Sequence, residues 1–260
     1  MSALSLKLLQ PTTIGSTPIK NRIALAALTR ARAGEDENAN KPWIIEYYKQ
    51  RASAGIIITE ATSISAQGRG WAQAASIQSD DHAQGWKAVT DAVHQVGQTA
   101  IFAQLWHMGR ASHSTYGLHP VAPSAIAAVG TTHGADFQKY PYEVPRELTI
   151  EEIRSTIQDY KSAAKRAVDA GFDGVEVHAA NGYLIDEFLQ STSNKRDDIY
   201  GGSFENRFRF LKEVLEAILE ILPAEKIGVK LSPNGIYNDM GSEDNYEAYS
   251  YFIAEVRLLL

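Results

Sequence analysis

Five short apolar runs alternate with longer helix-patterned stretches along this chain, and that alternation constrains the fold more than any other feature. Ile23–Leu28, Gly55–Thr59, Thr99–Leu105, Gly174–His178 and Ile227–Leu231 read as strands. Pro42–Ala54, a stretch capped by Asp80-Asp81 and running to Val96, Gly182–Gln190, Phe204–Leu222 and Asn245–Leu260 read as helices. Another helix runs to Ala170, with Thr149 as N-cap and Glu152 completing a capping box. Strict strand–helix alternation means parallel strands joined by crossover helices. The runs are apolar almost throughout, as strands buried on both faces should be.

Two architectures satisfy that pattern, a β/α barrel and an open doubly wound sheet. A doubly wound nucleotide-binding sheet needs a Gly-rich turn after an early strand. Only the lone pair Gly68-Arg-Gly70 is present, in a loop. Polar residues instead stand at the C-terminal ends of several strands, namely Thr29, Glu60, Gln104, His178 and Lys230. Barrel enzymes put their chemistry there. The expected fold is therefore α/β, a parallel barrel of the (β/α)8 type, with about five of the eight βα units. The expected organisation is one barrel domain over 1–260, incomplete at its C-terminus, with a long loop insertion at 110–147 after the third strand.

Composition removes several function classes. A net charge of −6 gives no nucleic-acid or anionic-membrane surface, and Lys195-Arg196 reads as solvated loop charge. The absence of cysteine excludes disulfides, thiolate catalysis and Cys-ligated metal centres. Neither a membrane span nor a signal peptide is recognisable, so a soluble, cytoplasmic protein without membrane or nucleic-acid partners is expected. Self-association into a homo-oligomer stays open. The histidines show no HExxH or paired spacing, which disfavours a zinc hydrolase. Lys230 stands where a Schiff-base aldolase would need a strand lysine, which keeps that reading as a minor alternative.

The densest chemistry lies in His178–Tyr183. Side chains alternate along Gly174-Val-Glu-Val-His178, so Glu176 and His178 share one face while Val175 and Val177 face the helices. Asn181 and Tyr183 follow at the turn into a helix. Two hydrogen-bond donors beside a phenol suit one kind of chemistry, in which the donors hold an oxygen that gains negative charge and the phenol supplies a proton. A structural histidine and an N-capping Asn181 explain the trio equally well by themselves.

Several further segments occur in a telling order: Ala26-Ala-Leu-Thr-Arg30, Ile57-Ile-Thr-Glu-Ala61, Gln104-Leu-Trp-His-Met-Gly-Arg110, His178-Ala-Ala-Asn-Gly-Tyr183 and Asn194–Arg207. Together they resemble the Old Yellow Enzyme family of FMN-dependent ene-reductases, and the resemblance covers nearly the whole chain. It implies FMN as cofactor, NADPH or NADH as reductant and an enone or enal as substrate. Ala27, Leu28 and Thr29 would border the flavin, with Thr29 near C4=O and N5 and the backbone around Ala61 on the same edge. Gln104 would meet the N3–H and carbonyl edge, and Lys230 the N1 and C2=O side. His178 and Asn181 would grip the substrate carbonyl, Tyr183 would protonate the α-carbon, and Trp106 would shape the pocket. Arg207 and Asn206 would stabilise the fold, and His107 and Arg110 receive no step.

Three departures from the family stand out. Ala27 replaces a common proline, a modest loss of a rigid wall. Lys230 replaces a typical arginine, keeping the charge but losing the bidentate fork. The count of about five strands falls short of the eight of a whole barrel, and the family holds the FMN phosphate on loops after the last two. The alternative reading is therefore a truncated, non-catalytic remnant that cannot retain FMN and acts through self-association or a partner.

Overall fold

The computed structural model describes residues 6–97 and 99–260. It opens with an antiparallel hairpin, β1 (Thr12–Ile14) and β2 (Thr17–Ile19), a pairing that the sequence pattern did not announce. The main sheet follows: β3 (Ala24–Leu25), α1 (Pro42–Lys49), β4 (Ile56–Ser63), α2 (Asp80–Val96) and β5 (Ala100–Trp106). The next segment contains β6 (Val121–Ala122), β7 (Thr131–His133), β8 (Lys139–Pro141) and β9 (Arg146–Glu147). Then come α3 (Ile150–Asp169), β10 (Gly174–Ala179), α4 (Leu184–Leu189), α5 (Phe204–Leu219), β11 (Ile227–Leu231) and α6 (Asn245–Leu259).

The five strands of the main sheet lie in the order β3-β4-β5-β10-β11, all parallel. Each new strand adds to the same side of the last one. A doubly wound sheet would reverse direction at a switch point, so this order is that of a barrel wall, a partial (β/α)8 barrel. Alternation along the strands separates two apolar layers. Ile57, Ile101, Ala103, Val175 and Val177 join the main core with the helices. Ile56, Ile58, Ala100 and Phe102 form a separate inner cluster, closed from below by Ile19 of β2.

The helix starts follow their caps. The Thr149 side chain accepts the Glu152 N–H while the Glu152 carboxylate accepts that of Thr149, the expected capping box. For α2 the cap is Ser79, whose hydroxyl accepts the His82 N–H. Asp80 and Asp81 instead occupy its first turn, where they favour the helix dipole. Helix α1 stops at Lys49, five residues before the expected Ala54. Lys20, Asn21 and Thr99 donate to the carbonyls of Ala52, Ser53 and Ala54. Those outside donors hold the chain in the turn that leads to Gly55, where an added Cβ would strike the Asn21 backbone.

Burial on both faces, expected of every strand, holds for β4, β5 and β10. It fails for β3 and β11, which are sheet edges with one neighbour each and stay partly exposed. Strand β3 is also shorter than expected, since Ala26–Leu28 find no ladder partner. The solvated reading of Lys195-Arg196 is overturned at Arg196, which is buried. Its guanidinium pairs with Asp198 and donates to the carbonyls of Pro123 and Leu148, pinning this stretch under β6 and β9. Arg207 is likewise buried, paired with Asp244 at 2.6 Å and bonded to the Leu189 carbonyl. Among the described residues no helix is long and apolar enough to cross a membrane.

Candidate active site

A β-bulge sets the mouth of the sheet. Ile58 of β4 pairs with Phe102 and Ala61 with Gln104, so three steps on one strand match two on the other. The extra residue flips the alternation. Ala61 consequently turns to the inner mouth and packs with Trp106 and Tyr183. Glu60 turns to the helix side, where Tyr48 and the Arg30 N–H engage its carboxyl group. Glu60, expected among the polar residues of the mouth, thus lies outside it.

Register places the remaining inner residues in a row. Glu176 pairs with Gln104 on one side, and His178 pairs with Lys230 on the other. The Gln104 amide nitrogen donates to Glu176 at 2.6 Å, and the Gln104 oxygen has no partner among the described residues. Burial raises the Glu176 pKa, against the pull of that bond and of the Lys230 charge. Ala27 is half-buried, while Leu28 and Thr29 are exposed beyond the end of β3.

His178, Trp106 and Tyr183 form an aromatic corner. His178 and Tyr183 meet edge to face with ring centroids 5.0 Å apart. Trp106 meets Tyr183 the same way at 5.0 Å and lies nearly parallel to His178 at 6.5 Å. The His178 ring makes no hydrogen bond among the described residues, and its buried Nδ1 has no partner there. Burial, and then the Lys230 charge, lower its pKa to about 3. The ring is therefore neutral at physiological pH and offers one N–H. Burial also raises the Tyr183 pKa, aided by Tyr237 and Tyr142, so its phenol keeps its proton.

Asn181 is held by its backbone, and its side chain makes no hydrogen bond among the described residues. Its φ is +61°, a left-handed conformation that Asn tolerates better than most residues. Its N–H donates to Ser232 at 2.7 Å, and its carbonyl accepts from the Asn238 amide at 2.9 Å. The N-cap of α4 is Tyr183, so the N-capping explanation of Asn181 does not hold. The next residue, Gly182, has φ +70° and donates its N–H to the buried Asp186 carboxylate at 2.8 Å. Tyr249 and Gln190 bond the other oxygen of Asp186.

The structure therefore brings Ala61, Gln104, Trp106, His178, Tyr183 and Lys230 to one mouth, with Asn181 on the turn above and Thr29 on the open side. It also recruits residues that the sequence pattern passed over. Tyr142, from the irregular segment after β5, packs beside Trp106 and Tyr183 and donates its hydroxyl to Asn238 at 2.7 Å. Asn238 and Met240, from the loop after β11, press on Gly182. No periodicity marks a loop residue that reaches a site only through tertiary contact. The one available signal was Arg110, which stood in the Gln104–Arg110 segment without a role. Among the described residues no group of three or more acidic or histidine side chains could hold a metal ion.

Residues 7–257 match the model of the NADH:flavin oxidoreductase / NADH oxidase family. A Leishmania infantum protein named "Probable flavin mononucleotide-dependent alkene reductase" is 43% identical over 258 residues, covering 96% of this chain and 70% of that protein. The solved Old Yellow Enzyme homologue of Zymomonas mobilis superposes with a TM-score of 0.94 at 45% identity, over 98% of this chain and 71% of that one. Morphinone reductase in complex with tetrahydroNAD gives a TM-score of 0.92 at 41% identity, over 98% of this chain and 72% of that one. Other relatives are longer still in proportion, the chain spanning 60% of a rice 12-oxophytodienoate reductase homologue.

Proposed function

Since the chain belongs to the NADH:flavin oxidoreductase / NADH oxidase family, among Old Yellow Enzyme homologues, we propose that it is an FMN-dependent reductase of the C=C bond in α,β-unsaturated carbonyl compounds, driven by NADPH or NADH. The donor set at the mouth fits a flavin ring. The free Gln104 oxygen suits the ring's N3–H. Thr29 offers a hydroxyl on the open side, and Lys230 offers a cation with no ion pair among the described residues. Ala27, Leu28 and Ala61 supply small or apolar surface at the same mouth. Bound there, FMN would supply the two-electron hydride chemistry that links a nicotinamide to an alkene.

The remaining work belongs to protein side chains. His178 and Asn181 hold the substrate carbonyl oxygen by hydrogen bonds. Those bonds strengthen as negative charge builds on the oxygen, which makes the β-carbon electrophilic. Tyr183 stands beside His178 with its proton retained and gives it to the α-carbon. Trp106 walls the pocket against both rings. One observation carries this reading. His178 and the Asn181 side chain, at the mouth of a buried sheet, have no protein partner among the described residues, beside a phenol that stays protonated.

The test is reconstitution with FMN, followed by NADPH or NADH oxidation with and without a simple cyclic enone. Enone-dependent oxidation that His178→Ala abolishes supports the proposal. Normal flavin uptake with no enone turnover refutes it. A sample that stays colourless after FMN is added supports the second reading, a non-catalytic chain that associates with itself or a partner. The open edges β3 and β11, with Ile23, Leu28 and Ile236 exposed beside them, are what favour that second reading.

A further inference from the structure

Arg110 is almost fully buried, and its guanidinium joins two loops of no regular structure. One terminal nitrogen donates to the carbonyls of Asn238 and Asp239, both at 3.1 Å, and touches the Met240 sulfur. The other donates to the Ile126 carbonyl at 3.2 Å. Burying a guanidinium costs several kcal/mol unless rigid partners compensate it. The buried Glu187 carboxylate offsets part of its charge and accepts the Arg110 backbone N–H at 2.8 Å, but the guanidinium's own hydrogen-bond partners are carbonyls, which a loop presents together only in a special conformation.

Asn238 and Asp239 provide that conformation. Both are left-handed, with φ of 57° and 61°. Two successive residues of this kind turn their carbonyls to one side, as in a short turn of helix. Asn and Asp tolerate this backbone singly better than most residues, but two in succession persist only where surrounding contacts hold them. Arg110 takes both carbonyls at once. Val129 adds its N–H to the Asp239 carboxylate at 3.3 Å, so segment 126–129 braces the same strap.

The strap ends on the candidate site. Asn238 donates to the Asn181 carbonyl and accepts from the Tyr142 hydroxyl. A Cβ added at Gly182 would lie 2.6 Å from the Asn238 Cβ and 2.8 Å from the Met240 Cγ, so the strap rests on the turn with no space between. From the guanidinium to the carbonyl-gripping turn there are only two links, the Asn238 backbone and the Asn238 side chain.

We propose that Arg110 is a positioning residue, which locks the strap Tyr237–Met240 onto the Asn181–Gly182 turn and so sets how Asn181 meets the substrate carbonyl. The positional part stands on contacts within the chain; the substrate part rests on the function proposed above. Arg110 touches no reacting atom.

The test is hydrogen exchange of the reconstituted protein, read at the Asn181, Gly182 and Gly241 amides, for the wild type, Arg110→Met, Arg110→Lys and Asn238→Ala. Arg110→Met should speed exchange at all three by tenfold or more while α5 exchanges as before, and Arg110→Lys should restore it in part. Asn238→Ala should speed exchange at Asn181 and Gly182, which keeps the idea open to test if Arg110→Met does not fold. In turnover, Arg110→Met should raise KM for a cyclic enone about tenfold and leave flavin reduction by the nicotinamide unchanged. Wild-type exchange at the turn in both Arg110→Met and Asn238→Ala overturns the proposal. A wild-type protein without enone turnover overturns the function above instead, and the exchange rates still decide the role of Arg110.

Discussion

The rings of His178 and Tyr183 stand edge to face, with centroids 5.0 Å and planes 88° apart. One side chain comes from the end of β10 and the other from the N-cap of α4, so the turn between them sets the spacing of the two groups proposed to hold the carbonyl and to donate the proton.

That spacing makes Tyr183→Phe informative. The ring packing against Trp106 survives, and only the hydroxyl is lost. Enone reduction should fall by a factor on the order of 10² to 10⁴, the usual contribution of a positioned acid. Flavin reduction by NADPH or NADH should proceed at the wild-type rate. Stopped-flow measurement of the two half-reactions separates them, and equal loss in both would remove Tyr183 from the donor role. Because burial raises the Tyr183 pKa, the wild-type oxidative half-reaction should show no loss from phenol ionisation on the alkaline side up to about pH 10.

Lys230 faces His178 across the β10–β11 register. Lys230→Arg restores the planar fork that suits a paired edge better than a point charge. FMN should bind several-fold more tightly, in line with about 1 kcal/mol for an added charge-assisted hydrogen bond. Fluorescence titration of FMN measures this directly, and an unchanged dissociation constant would count against a flavin contact at Lys230.

Two buried histidines contribute to acid stability. Burial lowers the His107 pKa to about 3, and burial together with Lys230 lowers that of His178 to about 3, both from 6.5. The unfolded chain takes up these protons first. Each ring therefore contributes stability that is complete above about pH 6.5 and is lost as pH falls toward 3. In His107→Gln one of the two contributions disappears. Its unfolding free energy between about pH 6 and 4 should fall less steeply than the wild type's, by roughly 1.4 kcal/mol per pH unit. Urea unfolding across that range gives both slopes, and identical slopes would refute the assignment.

Gly182→Ala combines two costs, a left-handed φ of +70° and a Cβ 2.6 Å from that of Asn238. A loss of about 1–3 kcal/mol is expected. The enone KM should rise with it, because the strap must lift off the turn. Denaturant unfolding together with steady-state kinetics checks both, and a neutral effect on each would show that the strap is not seated there.

Much of this molecule could be read along the chain. Strand–helix alternation follows from local hydrophobic periodicity, so five parallel strands and their helices were legible, and so was the capping box at Thr149. His178 could be assigned to the inner face because alternation in a strand is a local property of the backbone. What local pattern could not reveal depended on neighbours. The bulge that exchanges Glu60 for Ala61 at the mouth exists only because β4 meets β5 in a particular register. Helix α1 ends early because Lys20, Asn21 and Thr99, distant in sequence, capture the carbonyls of Ala52, Ser53 and Ala54 just beyond its end. Tyr142, Asn238 and Arg110 reach the site across loops, where no period links residue type to direction. By itself the sequence determined which side chains of β5, β10 and β11 share the inner face of the sheet. Only the tertiary structure decided which of them meet, because the strap and the turn are held by contacts between segments more than fifty residues apart.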